Sequence, residues 1–289
     1  MKYLRPSSVD EAVEMLNASK GMVLAGGTDV CVCMSEGICS PDTLIDIGQL
    51  DALKGIEIAT HEGDKMLRIG SCTSIADIAA SDALPTCLRQ GAQAVGSPQI
   101  RNLGTIGGNI CNASPCGDTL TPLLALEARF VLRSTAGTRS VESGAFFTGP
   151  KRSVLQSNEI LKFIEITVPP CAWRSAFRMI GNRKGQAISQ VNAAASVCVV
   201  EGKMADVRVA VGSVAPVPLR LKTLEQSLSG QPTESLRLEG IREAVLEGIA
   251  PIDDVRSTAA YRQEVTVALV YDALAACMSE AAGHEGAGA

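Results

Sequence analysis

Histidine is nearly missing from this chain. It occurs twice in 289 residues, as His61 and His284. A triad or a Cys–His pair needs an imidazole as its base. His61 stands in the polar text "ATHEGDK", read as a hairpin turn, and His284 in the tail "GHEGAGA". Neither suits a triad. Aromatic residues make up only 3% of the chain, too few for a base-stacking platform. There is no basic run and the formal net charge is -5, so nucleic acid is excluded as a partner. No apolar run reaches the roughly 18–20 residues of a membrane span. The opening "MKYLRPSSVDEAVEML" lacks the apolar core of a signal peptide. A soluble, cytoplasmic protein is expected.

Cysteine is plentiful, at ten, but no Cys-x-x-Cys occurs. The spacings of Cys31, Cys33 and Cys39, and of Cys111 and Cys116, fit no common iron–sulfur pattern. No metal site is expected. In a reducing compartment the thiols read as free, mostly small buried hydrophobes rather than disulfides. Cys31, Cys33 and Met34 lie on an apolar helix that reads as core or as a subunit contact.

The apolar pattern gives an α+β chain. Ser7–Ser8 ahead of Val9, Ala12, Val13 and Leu16 predicts a capped helix ending near Gly21. "MVLA" predicts a strand running into Gly26–Gly27 and a helix start. Further strands are read at "TLIDI", "MLRIGS", "RFVLRS" and "EILKFIEITV", and helices after Thr73–Ser74, over 84–95 and at "TPLLALEA". Between them, 97–118 shows no period and reads as a long binding loop. After Pro169–Pro170 come three strands, "AFRMI", "ISQVNAAASVCVV" and "MADVRVAVGSV", as an antiparallel meander. Helices follow near 221–228, 233–249 and 257–281. The expected domains are 1–170, with subdomains about 1–55 and 56–170, then 171–282 and a frayed tail, 283–289.

Two glycine-rich stretches carry the chemistry. In "LAGGTDV" the glycines permit a sharp turn with consecutive N–H groups exposed, a nest for phosphate oxygens. A plain tight turn gives the same text. Thr28 adds a hydroxyl. Asp29 would repel a phosphate if aimed at it, so it reads as a cap or a ribose contact. "GTIGGN" offers a second backbone patch, with Thr105 and Asn109 as side-chain partners. Two such patches suit the pyrophosphate of a dinucleotide. Gly104, Gly107 and Gly108 miss the G-x-G-x-x-G spacing, which disfavours a Rossmann nicotinamide site. Asp118 reads either as an acceptor for sugar or ribityl hydroxyls or as an N-cap for the next helix. Arg101 reads as a phosphate partner or a solvated loop arginine. Phosphate-type loops without catalytic side chains suggest that a cofactor does the chemistry.

"LAGGTD", "IRNLGTIGGNICNASPCGD" and "YRQEVTVALVYDAL" together resemble the flavoprotein (medium) subunit of the molybdenum hydroxylases, in order and over nearly the whole chain. That family includes xanthine, carbon monoxide and nicotinate dehydrogenases. The resemblance implies an FAD-binding fold of the vanillyl-alcohol oxidase type, two α+β subdomains, and a C-terminal domain of three antiparallel strands and helices. It implies that Val23, Leu24, Ala25, Gly26, Gly27, Thr28, Asp29 and Val30 wrap the FAD pyrophosphate. Thr105, Ile106, Gly107, Gly108 and Asn109 would form the second phosphate-facing loop, and Asp118 would hold FAD hydroxyls. Leu161 matches a position near the flavin ring, and Arg178 one often held by lysine. No histidine offers an anchor for covalent flavin, and no residue is assigned to the flavin N5.

The resemblance also implies partners: a molybdopterin-binding large subunit and a small subunit with two [2Fe–2S] clusters, together a dimer of heterotrimers. Electrons would pass through FAD to NAD or another acceptor in a xanthine dehydrogenase-like complex. The 4-hydroxybenzoyl-CoA reductase branch is disfavoured, since its extra cysteine-bearing cluster insertion is missing. The alternatives are a flavin subunit for nicotinate or carbon monoxide oxidation, a free-standing flavin oxidoreductase of the same superfamily, and an assembly subunit without FAD.

Overall fold

The computed structural model describes residues 1–61, 64–169, 171–183 and 185–279. His284 and the expected frayed tail lie outside them. The chain forms two compact units. One takes residues 1–78, 97–113 and 127–168, the other 79–96, 114–126 and 169–289. Residues 79–96 and 114–126, read as part of the first domain, therefore pack with the C-terminal residues.

The first unit opens with β1 (Lys2–Leu4), α1 (Val9–Ser19), β2 (Met22–Leu24), α2 (Val30–Ser35) and β3 (Thr43–Asp46). Ser8 caps α1 by accepting from Glu11 N, and Val9, Ala12, Val13 and Leu16 face inward as their spacing requires. The three strands form a parallel sheet in the order β1-β3-β2. Strands β4 (Ile56–His61) and β5 (Asp64–Gly70) make a hairpin in which His61 lies opposite Asp64. Helix α3 (Ile75–Ala80) carries the chain out of this unit, and α4 (Thr86–Ala94) belongs to the second.

The supposed long loop is two short helices, α5 (Pro98–Leu103) and α6 (Ile106–Asn112). Ser97 accepts from Ile100 N at the start of α5, and Thr105 accepts from Gly108 N at the start of α6. Helices of six and seven residues complete no second turn, so neither repeats an apolar period. Their signal lay in the caps, and in Pro98 at the first helical position.

After α7 (Leu120–Ala125) come β6 (Arg129–Ser134), β7 (Gly137–Glu142), α8 (Ser143–Phe146), β8 (Phe147–Gly149), β9 (Arg152–Ser153) and β10 (Ile160–Thr167). Strand β10 completes a five-stranded sheet, β4-β5-β10-β6-β7, with a register shift between Leu161 and Phe163. Phe130, Phe146 and Phe147 pack edge to face, with centroids 4.9 to 6.2 Å apart.

The second unit is built on β11 (Ala172–Gly181), β12 (Ser189–Val200), β13 (Lys203–Gly212) and β14 (Leu219–Arg220), an antiparallel meander. Glu201 and Gly202, both at positive φ, turn β12 into β13. Helices α9 (Lys222–Leu228), α10 (Leu238–Glu247) and α11 (Ala259–Ser279) cover it. The helix expected over 233–249 is instead a 3-10 turn, Thr233–Ser235, and α10, because Leu236 and Arg237 are extended. Val191, Val197, Val209 and Val211 meet Leu224, Val245, Val270 and Leu274 in one core.

The reading of the cysteines as free thiols rather than disulfides is corrected at one pair. Cys171 and Cys198 are bonded, with Cα atoms 5.9 Å apart. Sequence spacing could not show this, because the pair is made by the β11–β12 register, which sets Trp173 opposite Cys198. The denatured, unreduced chain is expected to titrate eight thiols, and ten after reduction. Ten before reduction would contradict the bond.

Candidate functional site

The two glycine stretches meet in the first unit. Strand β2 ends at Leu24, whose carbonyl accepts from Ile47 N at 2.8 Å. The chain then turns through Gly26 and Gly27. Gly27 has φ +73°, a conformation that side chains rarely adopt. Gly26 is glycine for a different reason. A Cβ there would sit 1.9 Å from the Leu103 carbonyl oxygen and 3.0 Å from Gly104 Cα. The first loop is thus laid directly on the α5–α6 junction, and Thr28 Oγ1 lies 3.3 Å from where a Gly104 Cβ would be.

The second stretch is pinned from the other side. Gly107 N donates to Ser71 O at 2.8 Å, Ile106 N to Thr73 O at 3.0 Å, and Ile75 N to Gly104 O at 2.8 Å. A Cβ on Gly107 would stand 2.6 Å from Ser71 O. Gly108 differs. It is exposed, and a Cβ there would meet only Thr105 Oγ1, at 3.0 Å. Residues 104–108 are therefore wedged between Gly26 and Ser71, with their open side at Gly108. The N–H groups of Ile106, Gly107, Gly108 and Asn109 already donate within the chain, to Thr73 O, Ser71 O, Thr105 Oγ1 and Thr105 O, so what this stretch offers a ligand such as a pyrophosphate is a close approach unobstructed by a Cβ at Gly108. Leu161, also in this unit, is buried in β10.

Asp118 and Arg178 belong to the second unit. Thr119 precedes α7 without a side-chain cap, and Asp118 is no cap either. Asp118 Oδ1 accepts from Ser189 Oγ and, at 3.1 Å, from Asn192 Nδ2. Asn192 Oδ1 accepts in turn from Thr121 Oγ1, at 3.1 Å. Burial pushes the Asp118 carboxyl up to about 6, against the lowering effect of the Ser189 and Asn192 hydrogen bonds. Arg178 Nη1 donates to the Phe177 carbonyl at 2.9 Å. Sequence reasoning missed Ser189, Asn192 and Thr121. Their one signal was polar residues inside the otherwise apolar β12 and α7.

Comparison with known proteins agrees with this architecture. The family described as "FAD binding domain in molybdopterin dehydrogenase" matches residues 1–170, and "CO dehydrogenase flavoprotein C-terminal domain" matches 175–277. The chain is 33% identical to a xanthine dehydrogenase FAD-binding subunit of Escherichia coli O157:H7, over 95% of this chain and 96% of that one. It is 31% identical to the carbon monoxide dehydrogenase medium chain of Hydrogenophaga pseudoflava, covering 97% and 98%. The solved carbon monoxide dehydrogenase of Hydrogenophaga pseudoflava lacking the Mo-pyranopterin moiety superposes with a TM-score of 0.89 at 30% identity, covering 96% of this chain and 97% of that one. The chain belongs to the FAD-binding medium subunits of the molybdenum hydroxylases. It is the flavoprotein subunit of an oxidoreductase of that class. Among the described residues no helix is long and apolar enough to cross a membrane.

Proposed function

We propose that this chain holds FAD with its pyrophosphate on the paired glycine stretches, Val23–Val30 and Thr105–Asn109, and serves as the electron outlet of a xanthine dehydrogenase-like complex. The observation that carries the site is the contact of Gly26 with the Leu103 carbonyl, which makes one cradle of two distant stretches. The backbone of the first stretch and the Thr28 hydroxyl face the phosphates, while Gly108 leaves room for them on the second and Thr105 holds the start of α6 in place. Asp118 accepts from hydroxyls of the FAD sugar or ribityl chain. Leu161 packs near the ring, and Arg178 supplies a cation where relatives often have lysine. A guanidinium keeps the charge but changes the hydrogen-bond geometry.

Bound FAD supplies what no side chain here can, taking up electrons singly and giving them up in pairs. The partners are a molybdopterin subunit, where substrate is oxidised, and a small [2Fe–2S] subunit. The acceptor is NAD or another electron carrier, and the assembly is a cytoplasmic dimer of heterotrimers. The xanthine-type reading follows a relative at 33% identity, and nicotinate and carbon monoxide subunits, at 30% and 31%, stand beside it as the alternative substrate classes. The test is purification of the complex from its host, release and chromatography of the flavin, and reduction of NAD with xanthine. One FAD per chain and xanthine-dependent NADH are expected. FAD with no xanthine turnover would move the substrate class. No flavin in the intact complex would remove the reading. FMN, which lacks the pyrophosphate linkage, is expected to bind the full chain at least about 100-fold more weakly than FAD, the lower end of what two hydrogen bonds to charged oxygens are worth.

A further inference from the structure

Pro150 and Lys151 turn β8 into β9. Lys151 has φ +58°, the left-handed region where a turn after proline ordinarily takes glycine. Its main-chain N–H donates to the Ala113 carbonyl at 3.0 Å, and Ala113, the C-cap of α6, has φ +48°. Two non-glycine residues thus hold unfavourable conformations against each other, and such strain persists only where surrounding contacts maintain it. The lysine side chain adds contacts of its own here. Lys151 Nζ donates to Asn112 Oδ1 at 2.5 Å and lies 3.6 Å from Asp29 Oδ1. One ammonium therefore ties the turn, the end of α6 and the first glycine stretch together, all within the first unit.

Asp29 is the residue that this tie explains. Its carboxylate follows Gly26–Gly27–Thr28, where negative charge opposes an anionic ligand. It makes no capping hydrogen bond to α2. Its two oxygens lie instead 3.6 Å from Lys151 Nζ and 3.8 Å from Cys33 Sγ. We propose that Lys151 is a positioning residue for the dinucleotide: it neutralises Asp29 and holds its carboxylate aside, so that the first glycine stretch accepts a pyrophosphate. Lys151 acts through Asp29 and does not itself touch the ligand. This inference rests on the FAD reading above.

The test is FAD affinity of the flavin-free full chain, measured by quenching of flavin fluorescence at low and high salt, with melting temperature recorded alongside. Lys151→Gln is expected to weaken FAD about fivefold at low salt, the scale of an exposed ion pair, and less at high salt. Asp29→Asn in the same background is expected to restore the affinity, because the charge needing neutralisation is gone. Lys151→Gly separates this role from a merely structural one. It relieves the positive φ, so the flavin-free chain melts higher while FAD binds more weakly. Equal FAD affinity in Lys151→Gln and the unaltered chain overturns the inference. So does a double variant no better than Lys151→Gln alone. An unaltered chain with no FAD affinity removes the FAD reading itself.

Discussion

Gly26→Ala is expected to abolish FAD binding by this chain and to lower its stability by about 3 kcal/mol. The added Cβ would lie 1.9 Å from the Leu103 carbonyl oxygen and 2.6 Å from its carbon. Both are backbone atoms, so no rotamer change relieves the overlap, and either β2's exit or the α5–α6 junction must move. Ile75 N, donating to Gly104 O at 2.8 Å, resists the second movement, and the Ile47–Leu24 hydrogen bond at 2.8 Å resists the first. For a chain of this size such a loss corresponds to roughly 6–12 °C in melting temperature. Gly108→Ala is the matched control. Its Cβ meets only a side-chain oxygen at 3.0 Å, and alanine favours the helix by about 1 kcal/mol. It is expected to leave the melting temperature nearly unchanged while weakening FAD by narrowing the open side of the cradle. Thermal melts and FAD titrations of the two variants check both points. A Gly26→Ala chain that melts and binds as the unaltered one does would contradict the close backbone approach.

How much of this was readable beforehand depended on the range of the interaction. The α1 face, the β11–β13 meander and the glycine turn after β2 are local patterns, and the sequence displays them directly. Gly26 and Gly107 were visible as glycines, but not the reason for them. Each is fixed by a carbonyl far along the chain, Leu103 for one and Ser71 for the other. The same holds for Cys171–Cys198, created by strand register, and for Lys151, whose partners Asp29 and Asn112 lie well over thirty residues away. Helices α5 and α6 were missed because six or seven residues cannot repeat a period. Arg262 shows the limit from the other side. It stands in a recognisable run, yet its work is structural: buried, it donates to the Gln190 and Ser213 carbonyls at 3.0 and 2.8 Å and to Asp254 Oδ1 at 2.7 Å.

Asp118→Asn is expected to stabilise the flavin-free chain at neutral pH, with a gain that grows as pH rises from about 4 and is complete above about 6. The native carboxyl is raised from 3.8 to about 6, chiefly by burial. A raised folded value means that the native state holds its proton where the unfolded chain has released it. Asp118 therefore favours folding at low pH, and that contribution disappears as pH rises through the interval from about 4 to about 6. The shift corresponds to about 3 kcal/mol, reached in full above the upper value. Asparagine keeps the shape and an acceptor for Ser189 and Asn192, and it removes the charge. Urea unfolding at pH 4.5 and 7.5 checks this, taken as the difference between variant and unaltered chain so that all other titrating groups cancel. The variant's advantage is expected to be about 1–3 kcal/mol larger at pH 7.5. An advantage independent of pH would mean that the Asp118 carboxyl titrates normally. The same substitution bears on function in the opposite direction. A charge held in a buried place at a cost to stability is common where a ligand uses it. If Asp118 accepts from FAD hydroxyls, the more stable variant binds FAD more weakly, and stability and affinity part in one residue.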